Sequence, residues 1–540
     1  MDATEDSLPS RKKFLPILGK LALLVFLSAG LGIWYLRTNA ADRDFAEVNV
    51  FATILGIVGW LSLTVACRSA ALPRWVWRTI GLAPPLFLLG FLGLYKLERL
   101  DGELNPKFVL RWSQERRLET ATAGSTTIPL ESLAPTEFDF PQYLGPYRNA
   151  TYPKVQLAED WQGTPPSIAW KRSIGSGWSG FAIQGDVAVT MEQRDQEEWI
   201  TAIDINSGEA WWSYAIPGAH TNILGGSGPR STPTISNDRV YAVSAISQIV
   251  CLDLASGEQL WSHDLLPNGV SDQAAFEAHV SWGRSASPLV IGEQVIVPQG
   301  GLDESAAALV SLSVQDGAVL WTAGQGQVSY SSPMLIDILG VPQVVYTSEK
   351  MLAGYLPQDG TQLWTAPAPG SSSADPNVAQ PIDLGSGRIL LTKGYGTGAV
   401  LWQLKHDSSE AWQIEELWRK PSVMKTKFTT AVIRDSYAYG LSDGILECIS
   451  LETGKRQWKK GRYRQGQLLL VGEHLLITSE DGELVLVAAQ PTAFQELAKL
   501  QVINDVTWNT PAISGNRLLM RNSELAACVI LPIVNSPAKE

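Results

Sequence analysis

The sequence predicts an all-β fold, an eight-bladed β-propeller of four-stranded blades, preceded by N-terminal transmembrane α-helices. Three observations predict it. Tryptophan returns at a steady interval behind a glycine turn. Short runs of Val, Ile and Leu between Gly, Asn and Asp turns fill those intervals. Three apolar stretches, each near the roughly 20 residues that cross a hydrocarbon core, open the chain.

The apolar stretches are residues 14–36, 48–67 and 79–97, and the third carries Pro84-Pro85. Arg11, Lys12 and Lys13 precede the first, and Arg68, Arg74 and Arg78 lie between the second and third. The first loop has Arg37 and Arg43 beside Asp42, Asp44 and Glu47. Basic loops stay cytoplasmic, so this distribution puts residue 101 onward on the periplasmic side of an inner membrane, as a multi-pass protein. A cleaved first span would leave the large domain on the same side. The expected division is a membrane anchor over 1–100, a linker over 101–140 rich in Ala, Thr, Ser and Pro, and a propeller over 141–540.

Within the propeller a polar–small–Gly turn is followed four residues later by tryptophan. It reads AIDINSGEAWW (Gly208, Trp212), CLDLASGEQLW (Gly257, Trp261), SLSVQDGAVLW (Gly317, Trp321), GYLPQDGTQLW (Gly360, Trp364) and CISLETGKRQW (Gly454, Trp458). Trp170 and Trp418 belong to degenerate copies. The six steps from Trp170 to Trp458 average 48 residues, a period of propellers or solenoids. Glycine supplies the positive φ of the turn. Each tryptophan is expected to bury its face between neighbouring blades. Residues 466–502 form a seventh unit and 508–531 supply only three strands of an eighth; merging the two would give seven blades. The strand at 168–174 has no blade of its own and fits as the missing outer strand that closes the ring.

Charge narrows the partners. The net charge is −12, and 1–100 hold 11 basic against 7 acidic residues. The remaining 440 hold 31 against 47, a net of −16. Such a domain repels nucleic acid and anionic lipid on average, so an anion site must be a local exception. Cys67, Cys251, Cys448 and Cys528 form no CxxC and read as small buried hydrophobes. The five histidines have no ligand spacing, so no metal site is nominated. The Lys393–Gly398 run KGYGTG looks like a phosphate loop but lies between strands, which makes it a tight turn.

The repeated A/C-x-D-x-x-S/T-G-x-x-x-W motif over residues 165–531 resembles pyrrolo-quinoline quinone (PQQ) type propeller repeats. It is similar to quinoprotein dehydrogenases and to the propeller lipoprotein of the bacterial outer-membrane assembly machinery. FPQYLGPYRN (140–149), GGSGPRSTPTI (225–235) and KGYGTGAVLWQ (393–403) resemble membrane-anchored PQQ-binding-like propellers of planctomycete-type bacteria. The resemblance implies a quinoprotein-like scaffold, and the motif builds blades rather than a site. A quinoprotein dehydrogenase of alcohols or sugars would need PQQ with calcium, held by acidic and amide groups and an aspartate base. No such ligands can be placed residue by residue, and no vicinal cysteines exist. A role as an assembly factor like that lipoprotein is disfavoured, because its lipid-anchoring cysteine has no counterpart before Cys67.

The second candidate is a surface. The segments entering each innermost strand should share one face, bringing together Trp178, Arg230, Arg284, Tyr330, Lys393, Lys425, Lys427, Arg462, Tyr463 and Trp508. Basic and aromatic groups on one rim suit an anionic, carbohydrate or peptide ligand. The Ser/Thr-Pro pairs there also read as plain strand punctuation. The expectation is a non-catalytic binding platform in the cell envelope, with a protein or envelope-polymer partner and no nucleic acid.

Overall fold

The computed structural model describes residues 11–40, 43–70, 72–112, 127–246, 248–266, 273–301, 305–407 and 411–534. It divides into two compact units that part at residue 116.

The first unit holds three helices long and apolar enough to cross a membrane: α1 (Arg11–Thr38), α2 (Phe45–Ser69) and α3 (Arg74–Leu94). The Asp44 carboxylate caps α2 by accepting from the Ala46 N–H at 3.1 Å. Small residues let α1 and α2 approach, with Gly59 against Ala29. The third span stops at Leu94 rather than 97, because Tyr95 turns extended and starts a hairpin, Tyr95–Leu100 with Pro106–Leu110.

The second unit is an eight-bladed propeller. Blades 1 to 7 span 182–217, 234–264, 289–323, 334–367, 382–420, 432–462 and 467–501, each an antiparallel meander. Blade 8 takes three strands from 512–530 and its outer strand from Ser167–Ser173, which pairs antiparallel with Leu525–Ile530. The ring thus closes where the sequence leaves an orphan strand.

The repeat motif turns out to be a clasp between blades. The indole N–H of each outer-strand tryptophan donates to a turn carbonyl of the following blade. Trp170 reaches Ile205 at 2.9 Å, Trp212 reaches Leu254 at 2.9 Å, and Trp261 reaches Val314 at 2.9 Å. Trp321, Trp418 and Trp458 do the same to Pro357, Leu451 and Gln490. The turn glycine lies flat on that indole. A Cβ on Gly257, whose φ is 72°, would stand 2.5 Å from the Trp212 ring. Glycine is required twice, by the backbone sign and by the ring. Trp364 is the exception, since blade 5 lacks the Ser/Asp-Gly turn. Its N–H stays within blade 4, on Gln343 at 2.6 Å. Cys251, Cys448 and Cys528 are buried directly opposite Trp261, Trp458 and Trp170.

Of the segment expected as a linker, 113–126 lie outside the described residues. The flanks are structured. Pro106–Leu110 is a strand, while Ile128 and Leu133 are buried among blade 1 and blade 2 side chains, and the Ile128 N–H donates to Ala255.

Candidate functional site

The central channel of a propeller is the natural place to look for chemistry. Here the front face is the one at which the innermost strands begin. Residues just before those strands link blade to blade around the whole ring. The Gly180 N–H donates to Thr232 Oγ1 at 3.0 Å, Thr232 N–H to Ser287 Oγ at 3.0 Å, and Ser287 N–H to Ser332 Oγ at 2.9 Å. Ser332 N–H continues to Gln380 Oε1 at 2.9 Å and Gln380 N–H to Thr430 Oγ1 at 3.1 Å. The Gln467 amide ties blade 7 to Phe428 and Trp508 carbonyls on either side, and the Asn509 amide ties blade 8 to Ser179 of blade 1. The Ser/Thr-Pro punctuation is therefore a closed hydrogen-bonded girdle. Proline leaves the strand start without an N–H, and the hydroxyl before it takes the neighbour's N–H instead.

Behind the girdle the chain plugs its own channel. Phe140 bridges to Ile183 of blade 1, and the Pro141 carbonyl accepts from Ile235 of blade 2. Arg148, only 3% exposed, donates to the Ser287 and Pro288 carbonyls of blade 3 at 3.0 and 2.9 Å and to Gln142 at 3.0 Å. Thr151–Tyr152 then pairs parallel with Gln467–Val471 of blade 7, and the Gly515 N–H of blade 8 donates to the Tyr152 hydroxyl. Blades 3 and 7 are four steps apart in a ring of eight, so the four residues Arg148 to Thr151, with the Arg148 side chain, cross the diameter. Gly145, with φ 84°, allows the fold-back, since a Cβ there would strike the Phe140 ring.

At the front, three aromatic rings from the entries to blades 1, 6 and 8 pack together. Trp178 meets Trp508 at 4.7 Å between centroids, and Phe428 meets Trp508 edge-on at 5.2 Å. The Trp178 N–H donates to the Gly225 carbonyl at 2.6 Å. Four interior carboxylates stand around them, and each accepts a backbone N–H. Gly175 donates to Glu192, Ala245 to Glu198, Met424 to Glu447 and Gln465 to Glu480. Burial pushes the Glu198 carboxyl up to about 7, against the pull of the Ala245 N–H and Arg230. Glu192 is equally buried, yet Arg194 and Arg521 hold it below the usual carboxylate range.

The residues expected to form an open rim do gather at this face, but most are turned inward. Arg284 is buried, with its guanidinium on the Pro298 and Leu265 carbonyls and over the Phe276 ring. Arg230 donates to the Gly225, Gly226 and Gly228 carbonyls. The Tyr330 hydroxyl donates to Ser372 and accepts from Trp282. Lys393 is buried against the Pro369 carbonyl with Asp375 at 3.5 Å. Tyr463 donates to Glu496, Lys427 lies over Tyr395, and Lys425 pairs with Asp443. Trp178 and Trp508 are buried, and Arg462 is half-buried. The physical reason is the loop carbonyls, which have no strand partner and take these donors. KGYGTG is the expected turn between Arg388–Lys393 and Gly398–Lys405. What protrudes is apolar. Ile223 and Leu224 are 54% and 50% exposed at the tip of the hairpin Thr221–Asn222 with Gly226–Ser227.

Sequence reasoning missed the plug and the amides of Gln380, Gln467 and Asn509. The plug's FPQYLGPYRN stood out only by resemblance, and a proline-preceded amide in place of Ser/Thr was the available signal for Gln380.

A family model described as outer membrane protein assembly factor BamB matches residues 169–460. The chain belongs to the BamB family. The match lies in the blades and is independent of the anchor that spoke against an assembly-factor role. Two curated BamB proteins are similar: that of Moranella endobia at 24% identity over 46% of this chain, and that of Shewanella oneidensis at 23% over 47%. The chain spans about three fifths of each, 61% and 62%. Among solved structures, quinohemoprotein alcohol dehydrogenase from Comamonas testosteroni superposes with a TM-score of 0.51 at 11% identity, over 76% of this chain and 83% of that one. BamB from Moraxella catarrhalis gives 0.48 at 14%, over 68% and 100%. The first of these shares the fold.

A quinone with calcium does not fit the described residues of this BamB-family chain. Trp178 and Trp508 pack on each other, 4.7 Å between centroids, with no room for a planar ring system between them. The interior carboxylates are each bound to backbone, and among the described residues no three His, Cys, Asp or Glu gather to hold a metal.

Proposed function

We propose that this BamB-family propeller is an interaction platform of the cell envelope that works through its outer surface. The observation that carries this reading is the closed channel. Trp178, Trp508 and Phe428 pack together at the front, residues 140–152 cross the back, and the girdle between them is buried. A partner is thereby directed to the exterior. The half-exposed Ile223–Leu224 tip, beside the Trp178 and Arg230 attachments, supports a protein partner. The family name supports a place in outer membrane protein assembly. The three apolar helices and the asymmetry of their flanking basic residues support a multi-pass anchor in the inner membrane, with the propeller on the periplasmic side. The working division is an anchor to about residue 100, a connecting segment to 140 and the propeller thereafter.

Photo-crosslinking amino acids at Ile223 and Leu224 in living cells test this directly. Discrete adducts with envelope proteins are expected at these two positions, and none at the buried Ile296. An absence of adducts, together with calcium-dependent binding of PQQ to the full chain and oxidation of an alcohol or sugar, would replace the platform with a quinoprotein enzyme.

A further inference from the structure

The acidic propeller contains one strongly basic sector. Residues 419–464, which run from the end of blade 5 through blade 6, hold eleven Lys/Arg against four Asp/Glu, a net of +7. Everything else from residue 101 onward holds twenty basic against forty-three acidic residues, a net of −23. This is the local exception that the average charge demands.

The structure makes the sector one surface. The outer strand Arg456–Arg462 forms the rim of blade 6, with Lys455, Arg456 and Lys460 exposed and Lys459 and Arg462 half-buried. Lys420 of blade 5 lies against the turn at Gly454, next to Lys455. Lys459 is within electrostatic reach of both Lys425 and Arg456, so the rim runs on into the front-face loops. Carboxylates neutralise part of it: Glu447 takes Arg456, Asp443 takes Lys425, Asp481 takes Arg464, Glu416 takes Arg419 and Glu473 takes Arg434. Lys460 has an aromatic neighbour, Phe494, rather than an acid. Like charges crowded on one blade oppose folding, and neighbouring blades of the same repeat avoid the cost.

We propose that this basic face of blade 6 docks on an anionic phospholipid surface. The inference rests on the anchoring reading. Residues 95–127 between α3 and the first propeller contact can span at most about 110 Å, so a bilayer is always within reach. Tethering raises the effective concentration, so weak contacts suffice. Clusters of four to eight Lys/Arg are what anionic headgroups attract.

The test is lysine acetylation of the full chain in two kinds of nanodisc, phosphatidylcholine alone and phosphatidylcholine with phosphatidylglycerol, read by mass spectrometry. Lys455, Lys459 and Lys460 are expected to label roughly threefold or more slowly in the anionic discs, with the protection lost in high salt. Lys154 and Lys350 are the internal references, with rates alike in both. The double variant Lys455→Glu with Lys460→Glu is expected to abolish the protection of Lys459. Equal rates at blade 6 in both discs would overturn the lipid assignment and leave an acidic protein as the occupant. A chain that does not co-elute with either disc would instead overturn the anchoring reading, and this inference with it.

Discussion

The outer clasp and the inner channel hold the same blades together by different means. The clasp is one tryptophan, one glycine and one carbonyl, repeated from blade to blade at a fixed spacing. The channel is assembled from unlike pieces: hydroxyls, amides, a buried guanidinium and a crossing segment from before the first blade. Repetition serves where every interface is equivalent. The axis is where eight strand starts converge and no two positions have the same neighbours, so each donor needs its own solution.

The largest effect should come from the clasp. Trp212→Ala removes a buried indole and its bond to Leu254, and should cost about 4 kcal/mol in urea denaturation. Trp364→Ala is the matched comparison, since Trp364 has no bond to the next blade. A loss equal to that of Trp212 would show that packing alone, and not the interblade bond, makes the clasp.

Arg148→Met should follow, at about 3 kcal/mol, because the Ser287 and Pro288 carbonyls lose their donors inside the channel. A midpoint unchanged from wild type would mean that the plug is not fastened through Arg148, and the contrast with the clasp would fail.

Glu198 sharpens the comparison through pH. Its folded-state value near 7 lies above the ordinary carboxylate value, so the unfolded chain ionises first as pH rises. Stability from this group is present below about 4.5 and lost as pH climbs through about 7, a change of about 3 kcal/mol. Glu198→Gln should flatten the slope of melting temperature between pH 4.5 and 7 and be more stable than wild type at pH 8. An unchanged slope would remove Glu198 as its source.

The smallest effect belongs to the turn. Gly257→Ala should cost about 2 kcal/mol, from positive φ and from contact with Trp212. In a Trp212→Ala background the steric share should vanish. If the full loss persisted, the glycine would be required by its backbone alone.

The clasp was legible because its glycine and tryptophan recur at one fixed spacing, although the pair that meets lies a full repeat apart, and the orphan strand at 168–174 forced the closure of the ring. The exception at Trp364 was not, since it depends on a turn that blade 5 lacks. The front-face donors were legible as a location but not as a surface. Arg230, Arg284 and Lys393 carry the same charge in the sequence whether they meet solvent or a carbonyl. The carbonyls that take them belong to loops whose shape is set only once the blades are in place.

By itself the sequence determined the class of fold, the repeat, the closing strand and the three apolar helices. All of these follow from local periodicity and hydrophobic length. The structure settled seven or eight blades as eight. Only the tertiary structure decided that the channel is shut. Arg148 meets its carbonyl partners 140 residues further along the chain, and no local pattern encodes which donor meets which acceptor across a ring.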